Sequence, residues 1–176
     1  VQDLASGLTE ILIGGPGYDA EATISPNGER MVFTSTRSGD IELWTCKVDG
    51  TDIRQVTDEP GYDGGAFFSH DGQQLVWRST QFSEEGREAE VADDRALFEA
   101  NLVRPSRMEI MLARADGSGR RQVTRLGKAS FAPYFFHDDE RIIFSSNHHD
   151  PKRPARNFDL FSIRTDGEEL EQITFF

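Results

Sequence analysis

Three short apolar triplets punctuate the chain: Met31-Val32-Phe33, Leu75-Val76-Trp77 and Ile142-Ile143-Phe144. Each is too short for a helix and reads as a strand buried on both faces. After the first triplet the pattern changes to alternation, with Ile41, Leu43 and Thr45 on one side and Glu42, Trp44 and Cys46 on the other. That period of two belongs to a strand. Turn formers separate the apolar segments. Asn27-Gly28 and Asp71-Gly72 precede the triplets, and Asp49-Gly50, Asp116-Gly117 and Asp166-Gly167 follow the alternating segments; both pair types supply the positive φ of tight hairpins.

These signals recur in register. The opening half of a unit reads ATISPNGERMVFTST from Ala22, AFFSHDGQQLVWRST from Ala66 and PYFFHDDERIIFSSN from Pro133. The closing half reads IELWTCKVDGTDIRQVT from Ile41, MEIMLARADGSGRRQVT from Met108 and FDLFSIRTDGEELEQIT from Phe158. Met31, Leu75 and Ile142 are 44 and 67 residues apart, whereas Leu43, Ile110 and Leu160 are 67 and 50 apart. The basic unit is therefore 44 residues, with 23 extra residues in the second copy and 6 in the third, inserted after Ser79 and Ser146. Each unit divides into four strand-like pieces, the last being Gln55-Val56-Thr57, Gln122-Val123-Thr124 or Gln172-Ile173-Thr174. Four antiparallel strands per repeat of this length predict an all-β chain, a β-propeller.

The combination of a Ser-Pro-Asn-Gly or Ser-His-Asp-Gly turn, an apolar triplet, an Asp-Gly turn and a Gln-Val-Thr strand resembles the TolB-like β-propeller repeat, a WD-like blade. The third copy departs from it at Phe136-His137-Asp138-Asp139, where Asp139 stands in place of the turn glycine. Residues 4 to 17 resemble the fourth strand of a preceding unit, because Ile11-Leu12-Ile13 leads into Tyr18-Asp19 as Gln55-Val56-Thr57 leads into Tyr62-Asp63. The expected organisation is one propeller domain over residues 1–176. It has three four-stranded blades at approximately 18–61, 62–129 and 130–176, one leading strand, and an insertion at 81–104. Closed propellers have about 4 to 8 blades. The chain is thus read as a partial ring, either a piece of a larger propeller or half of a six-bladed assembly of two copies; the first residue, Val1, fits a removed leader or a longer parent chain.

With 31 acidic against 19 basic residues and a net charge of −12, the chain repels phosphate backbones and anionic membrane surfaces. Nucleic acid is not an expected partner. No window has the roughly 18 apolar residues of a membrane span, so no membrane insertion is expected, and the single Cys46 excludes an internal disulfide.

In a blade, the connection into the first strand and that from second to third strand share one end, and innermost strands line the channel. Asp19, Asp63 and Ser130 occupy equivalent places at the start of the innermost strands, where they either contribute to a polar or cation-binding ring or cap the loop. Glu21, whose counterparts are Gly65 and Ala132, faces the channel if alternation holds. The insertion Gln81–Arg104 falls on the same face with seven acidic and three basic residues. Its stretch 88–102 reads as an amphipathic helix carrying Val91, Phe98 and Leu102, stopped by Pro105. That helix either offers a partner-binding strip or packs on its own blade. His148 and His149, in the loop from Asn147 to Arg156, are ligand candidates, but no third imidazole or thiolate is spaced to complete a metal site. Glu42, Glu109 and Asp159 recur ahead of the third-strand leucine or isoleucine and read as blade-internal carboxylates, with Arg37 placed to pair with the first.

Neither G-x-S-x-G, H-E-x-x-H nor a phosphate-cradling glycine loop occurs, so no catalytic residue is assigned. The expectation is a protein-binding or scaffold module, non-catalytic by itself and without a cofactor. Two alternatives stand: a substrate-gating propeller of a larger hydrolase or peptidase, and a propeller enzyme using a divalent cation in the channel. The resemblance implies a periplasmic or other extracytoplasmic address and a protein partner.

Overall fold

The computed structural model describes residues 1–15, 17–152 and 156–175. Twelve strands form three separate four-stranded antiparallel sheets. The first holds β1 (Asp19–Ile24), β2 (Arg30–Ser35), β3 (Glu42–Lys47) and β4 (Arg54–Gln55). The second holds β5 (Asp63–Phe68), β6 (Gln74–Thr80), β7 (Met108–Arg114) and β8 (Arg121–Gln122), with the only helix among the described residues, α1 (Arg87–Glu99), between β6 and β7. The third holds β9 (Ser130–Phe135), β10 (Arg141–Ser146), β11 (Asp159–Arg164) and β12 (Glu171–Gln172). The chain is an all-β partial propeller, in which the inner strand of each later blade packs on the inner three strands of the blade before it.

The cores lie in the two seams between blades. Phe68, Leu75 and Trp77 of the second blade meet Val32, Leu43 and Val56 of the first. Phe135, Ile142 and Phe144 of the third meet Val76, Ile110 and Val123 of the second. In the third copy the residues equivalent to Ile41, Leu43 and Val56 are covered by no blade among the described residues: Phe158, Leu160 and Ile173 are 38%, 40% and 44% exposed.

Recurring chemistry within the repeat shows what its motifs do. The threonine of each Gln-x-Thr strand accepts a hydrogen bond from the third-strand backbone: Leu43 N to Thr57 Oγ1, Ile110 N to Thr124 Oγ1, and Leu160 N to Thr174 Oγ1, at 2.8, 2.8 and 2.9 Å. The threonine hydroxyl donates in turn to the recurring carboxylate, Thr124 to Glu109 at 2.6 Å and Thr174 to Asp159 at 2.9 Å. Arg37 does not pair with Glu42. It reaches back to Asp19 at 2.9 Å and lies over the Phe33 and Trp44 rings, because Glu42 points into the seam, where only 3% of it is exposed.

Asp139 takes the left-handed backbone of the glycines it replaces, φ +58° against +73° at Gly28 and +72° at Gly72. Its carboxylate accepts hydrogen bonds from His70 N and Asp71 N, at 2.8 and 2.9 Å, and lies 2.9 Å from the His70 ring nitrogen. The strain of a non-glycine there, of order 1 kcal/mol, is offset by tying the turn of the third blade to that of the second.

Residues 10–15 hold the place of a fourth strand but form no ladder, since the described residues contain no third strand for them to pair with. The equivalence is direct. A β-carbon placed on Gly50 would meet the Leu12 carbonyl oxygen at 2.7 Å, as one on Gly117 would meet that of Val56 at 3.3 Å and one on Gly167 that of Val123 at 3.0 Å. Ahead of it, Gln2 and Thr9 form an isolated antiparallel bridge.

Candidate ligand-binding face

Every inner strand carries a bulge at the same place. The register slips between Ala20 and Thr23, between Gly64 and Phe67, and at the facing residues of β9, and Glu21, Gly65 and Ala132 all have positive φ, at +53°, +64° and +49°. The bulge re-aims the side chain it carries, and only in the first blade is that side chain polar. Glu21 Oε1 accepts from Arg78 Nη2 at 2.6 Å, and its Oε2 accepts from the Tyr62 hydroxyl at 2.6 Å and from Thr34 Oγ1 at 3.2 Å. The Arg78 guanidinium lies 5.0 Å above the Tyr62 ring and 5.9 Å from that of Phe131. It reaches this position across Gly65, where a β-carbon would sit 2.2 Å from Arg78 Nη1. The cluster therefore joins all three blades. Burial alone would raise the Glu21 pKa, but the bonds from Tyr62 and Arg78, the charge of Arg78 and the bond from Thr34 outweigh it, and the carboxyl sits below the ordinary glutamate value. Burial, then the Glu21 carboxylate, holds the Tyr62 hydroxyl well above its own.

Asp19, Asp63 and Ser130 share one register position but do not converge. Each faces a second-strand serine across the ladder, Ser35, Ser79 and Ser146. Asp19 is engaged by Arg37. Asp63 is buried and accepts a 2.6 Å hydrogen bond from the Trp77 indole nitrogen. Ser130, fully buried, donates to Ser146 Oγ at 3.1 Å. Glu21 is the one of the four that joins a cluster extending across blades.

The insertion lies on the same face. Val91 and Phe98 of helix α1, both half-buried, line a narrow crevice together with Gly39, Asp40, Pro60 and Gly61 at the rim of the first two blades. The helix ends at Glu99, well ahead of Pro105: beyond the cap residue Ala100, Asn101 takes φ +57°, Leu102 N bonds Leu97 O at 2.9 Å and Asn101 N bonds Phe98 O at 2.8 Å, the Schellman arrangement. Leu102 thus falls beyond the helix, where it and Val103 are 57% and 46% exposed. Beneath the start of the insertion is a cleft of about 290 Å³, with Thr57, Pro60, Asp63, Trp77, Phe82 and Met111 in its walls.

His148 and His149 are drawn inward. The His149 Nε2 lies 2.8 Å from Asp159 Oδ2, and both rings pack on Phe161. Burial, then His149 and Lys128, depresses the His148 pKa. Asp150 organises the loop by accepting from the backbone nitrogens of Lys152, Arg156 and Asn157, which hold its carboxyl well below the usual range. The described residues bring no third metal-ligating side chain to the pair. The portion 153–155 of this loop lies outside the described residues.

No protein-family model matches the chain. An uncharacterized protein of Agrobacterium fabrum is 34% identical over 56 residues, 32% of this chain and 19% of that protein. Among solved structures, TolB from Acinetobacter baumannii is similar with a TM-score of 0.70 and 16% identity, over 98% of this chain and 36% of its own. A puromycin-hydrolysing peptidase from Mycobacterium tuberculosis is similar with a TM-score of 0.64 and 16% identity, over 91% and 22%. This chain spans little more than a third, or less, of the length of these proteins, and at such identities the structural likeness shows the fold alone: that of a TolB-like β-propeller.

Proposed function

We propose that this chain is a protein-binding propeller module, non-catalytic by itself, which offers the tip of the 81–104 insertion to a partner in an extracytoplasmic compartment. The observation that carries this reading is the contrast within the insertion. Val91 and Phe98 are half-buried beside the rim, whereas Leu102 and Val103 stand exposed beyond the end of α1, with Glu84, Glu85, Glu88, Asp93 and Glu99 exposed elsewhere in the same insertion. An apolar pair on an insertion with seven acidic and three basic residues suits a segment that carries leucine or an aromatic residue next to lysine or arginine. Peptide-display selection on the immobilised chain should enrich such segments, and a Leu102→Asp, Val103→Asp double variant should release them. Equal retention by the variant sinks the reading.

The uncovered Phe158, Leu160 and Ile173 face supports a further blade there, and a second copy of this chain would bring the assembly to six; its solution mass checks this, a monomer at tens of micromolar refuting the dimer. A propeller that gates substrate for a larger hydrolase has the same fold, and linkage to a catalytic domain would distinguish it. A divalent cation in the channel is the third reading, checked by metal analysis of the purified chain.

A further inference from the structure

The turns that join the first two strands meet from blade to blade, and their equivalent second residues are Pro26, His70 and His137. A β-carbon on Gly72 would lie 3.8 Å from Pro26 Cδ. One blade further on, the His137 ring stands 5.2 Å from the His70 ring, centroid to centroid, with the planes at 80°. The second junction therefore sets two imidazoles side by side. Asp139 fixes the state of one of them. Its Oδ1 accepts from His70 N at 2.8 Å and lies 2.9 Å from His70 Nδ1. A carboxylate only accepts, so Nδ1 carries the hydrogen and the lone pair of the neutral ring is left on Nε2. That nitrogen bonds no other described residue and is not a buried atom, and His137 is exposed. An imidazole held from behind by a carboxylate, with its other nitrogen open, is the usual state of a metal-bound histidine.

We propose that His70 and His137 form an open site for a divalent transition-metal ion of the kind imidazole suits, zinc, nickel or copper, which clasps the second blade to the third. Two imidazoles on one tetrahedral ion, at metal–nitrogen distances of about 2.0–2.1 Å, have ring centroids about 5 Å apart, the separation already present here. Asp139, which departs from the turn glycine of the repeat, is the positioning residue: it orients the His70 ring and fixes its tautomer. The other histidine pair does not meet these conditions, because Nδ1 is buried in both His148 and His149 and the His149 Nε2 is taken by Asp159. Asp71 and Asp138, both exposed in the same two turns, give the surround a negative potential that draws cations. Asp71 Oδ1 is occupied in its own turn by Ser69 Oγ and Gln73 N. The described residues contain no group of three candidate ligands, so the protein supplies two and water completes the shell.

The test is titration of the full chain with zinc chloride in a non-coordinating buffer, followed by calorimetry and by the NMR signals of the four histidine rings. Saturable binding of one zinc ion per chain is expected, with the His70 and His137 signals shifting and those of His148 and His149 unmoved. The melting temperature should rise with zinc and fall back with a chelator. His137→Ala, a change at an exposed position, should abolish saturable binding. Asp139→Gly keeps the left-handed turn and removes the carboxylate; it should weaken zinc about 10- to 100-fold and free the His70 ring to exchange between its two tautomers, which its ring nitrogen shifts report. Absence of saturable binding, shifts confined to His148 and His149, or undiminished affinity in His137→Ala overturns the proposal. Zinc held by the channel carboxylates would survive both substitutions, so that reading is told apart from this one, and the Leu102→Asp, Val103→Asp variant should titrate like the parent.

Discussion

Asp63 and Glu42 should make this protein less stable as the pH rises from acid to weakly alkaline, the reverse of the usual acid sensitivity. For Asp63 the folded value of about 7 stands against an ordinary 3.8. A folded state that binds a proton more tightly than the unfolded chain is stabilised fully below the unfolded value, and loses that advantage as pH climbs through the folded one. At about 1.36 kcal/mol per pH unit, the gap corresponds to roughly 4 kcal/mol between pH 4 and pH 8. Glu42, raised from 4.5 to about 8, titrates against the same neighbour, so its share is not additive. Carboxylates depressed below their ordinary values, Glu21 and Asp139 among them, act in the opposite sense and lose stability as pH falls, placing the optimum near pH 5 to 6. Urea unfolding followed by tryptophan fluorescence at pH 5.5, 7 and 8.5 measures the effect. The midpoint should drop steadily across the series, and Asp63→Asn, which keeps an acceptor for the Trp77 indole, should flatten the trend. A parent midpoint equal or higher at pH 8.5, or an Asp63→Asn variant with an unchanged slope, refutes the reasoning.

Arg78→Ala should cost about 2–3 kcal/mol in unfolding free energy by chemical denaturation, because it leaves a half-buried Glu21 with only the Tyr62 and Thr34 hydroxyls. Asp139→Ala should lose about 2 kcal/mol in the same assay through the lost caps on His70 and Asp71 together with an unrelieved left-handed backbone, and Asp139→Gly, which relieves the backbone alone, should lose less. Gly50→Ala should lower the melting temperature more than Gly28→Ala. Both have positive φ, worth about 1 kcal/mol each, but only Gly50 abuts a carbonyl oxygen, whereas nothing lies within 4 Å of Gly28.

Much of the fold is legible in the spacing, because hairpin turns and two-sided apolar strands are local signals and the repeat supplies each of them several times. The bulge position is accessible for the same reason: Glu21, Gly65 and Ala132 align. What Asp63 does is not, since its carboxyl is turned inward by an indole donor fourteen residues away, and sequence alone does not show which way a strand-end side chain leans. The same ignorance of side-chain direction makes Glu42 look like the partner of Arg37, a place that Asp19 takes. Pro105 is a conspicuous stop and draws the expected helix end past its true one, while an asparagine at a helix C terminus announces itself only through its backbone.

The glycines at positions 50, 117 and 167 each meet a main-chain oxygen of the preceding unit, joined at Gly117 by the Val56 side chain and at Gly50 by the Leu12 β-carbon. The main-chain part of such a joint is indifferent to residue identity, provided the glycine is kept. Such modules can be duplicated, reordered or allowed to diverge while their outer edges still fit. That tolerance explains in physical terms how propellers sharing 16% of their residues with this chain keep a common shape.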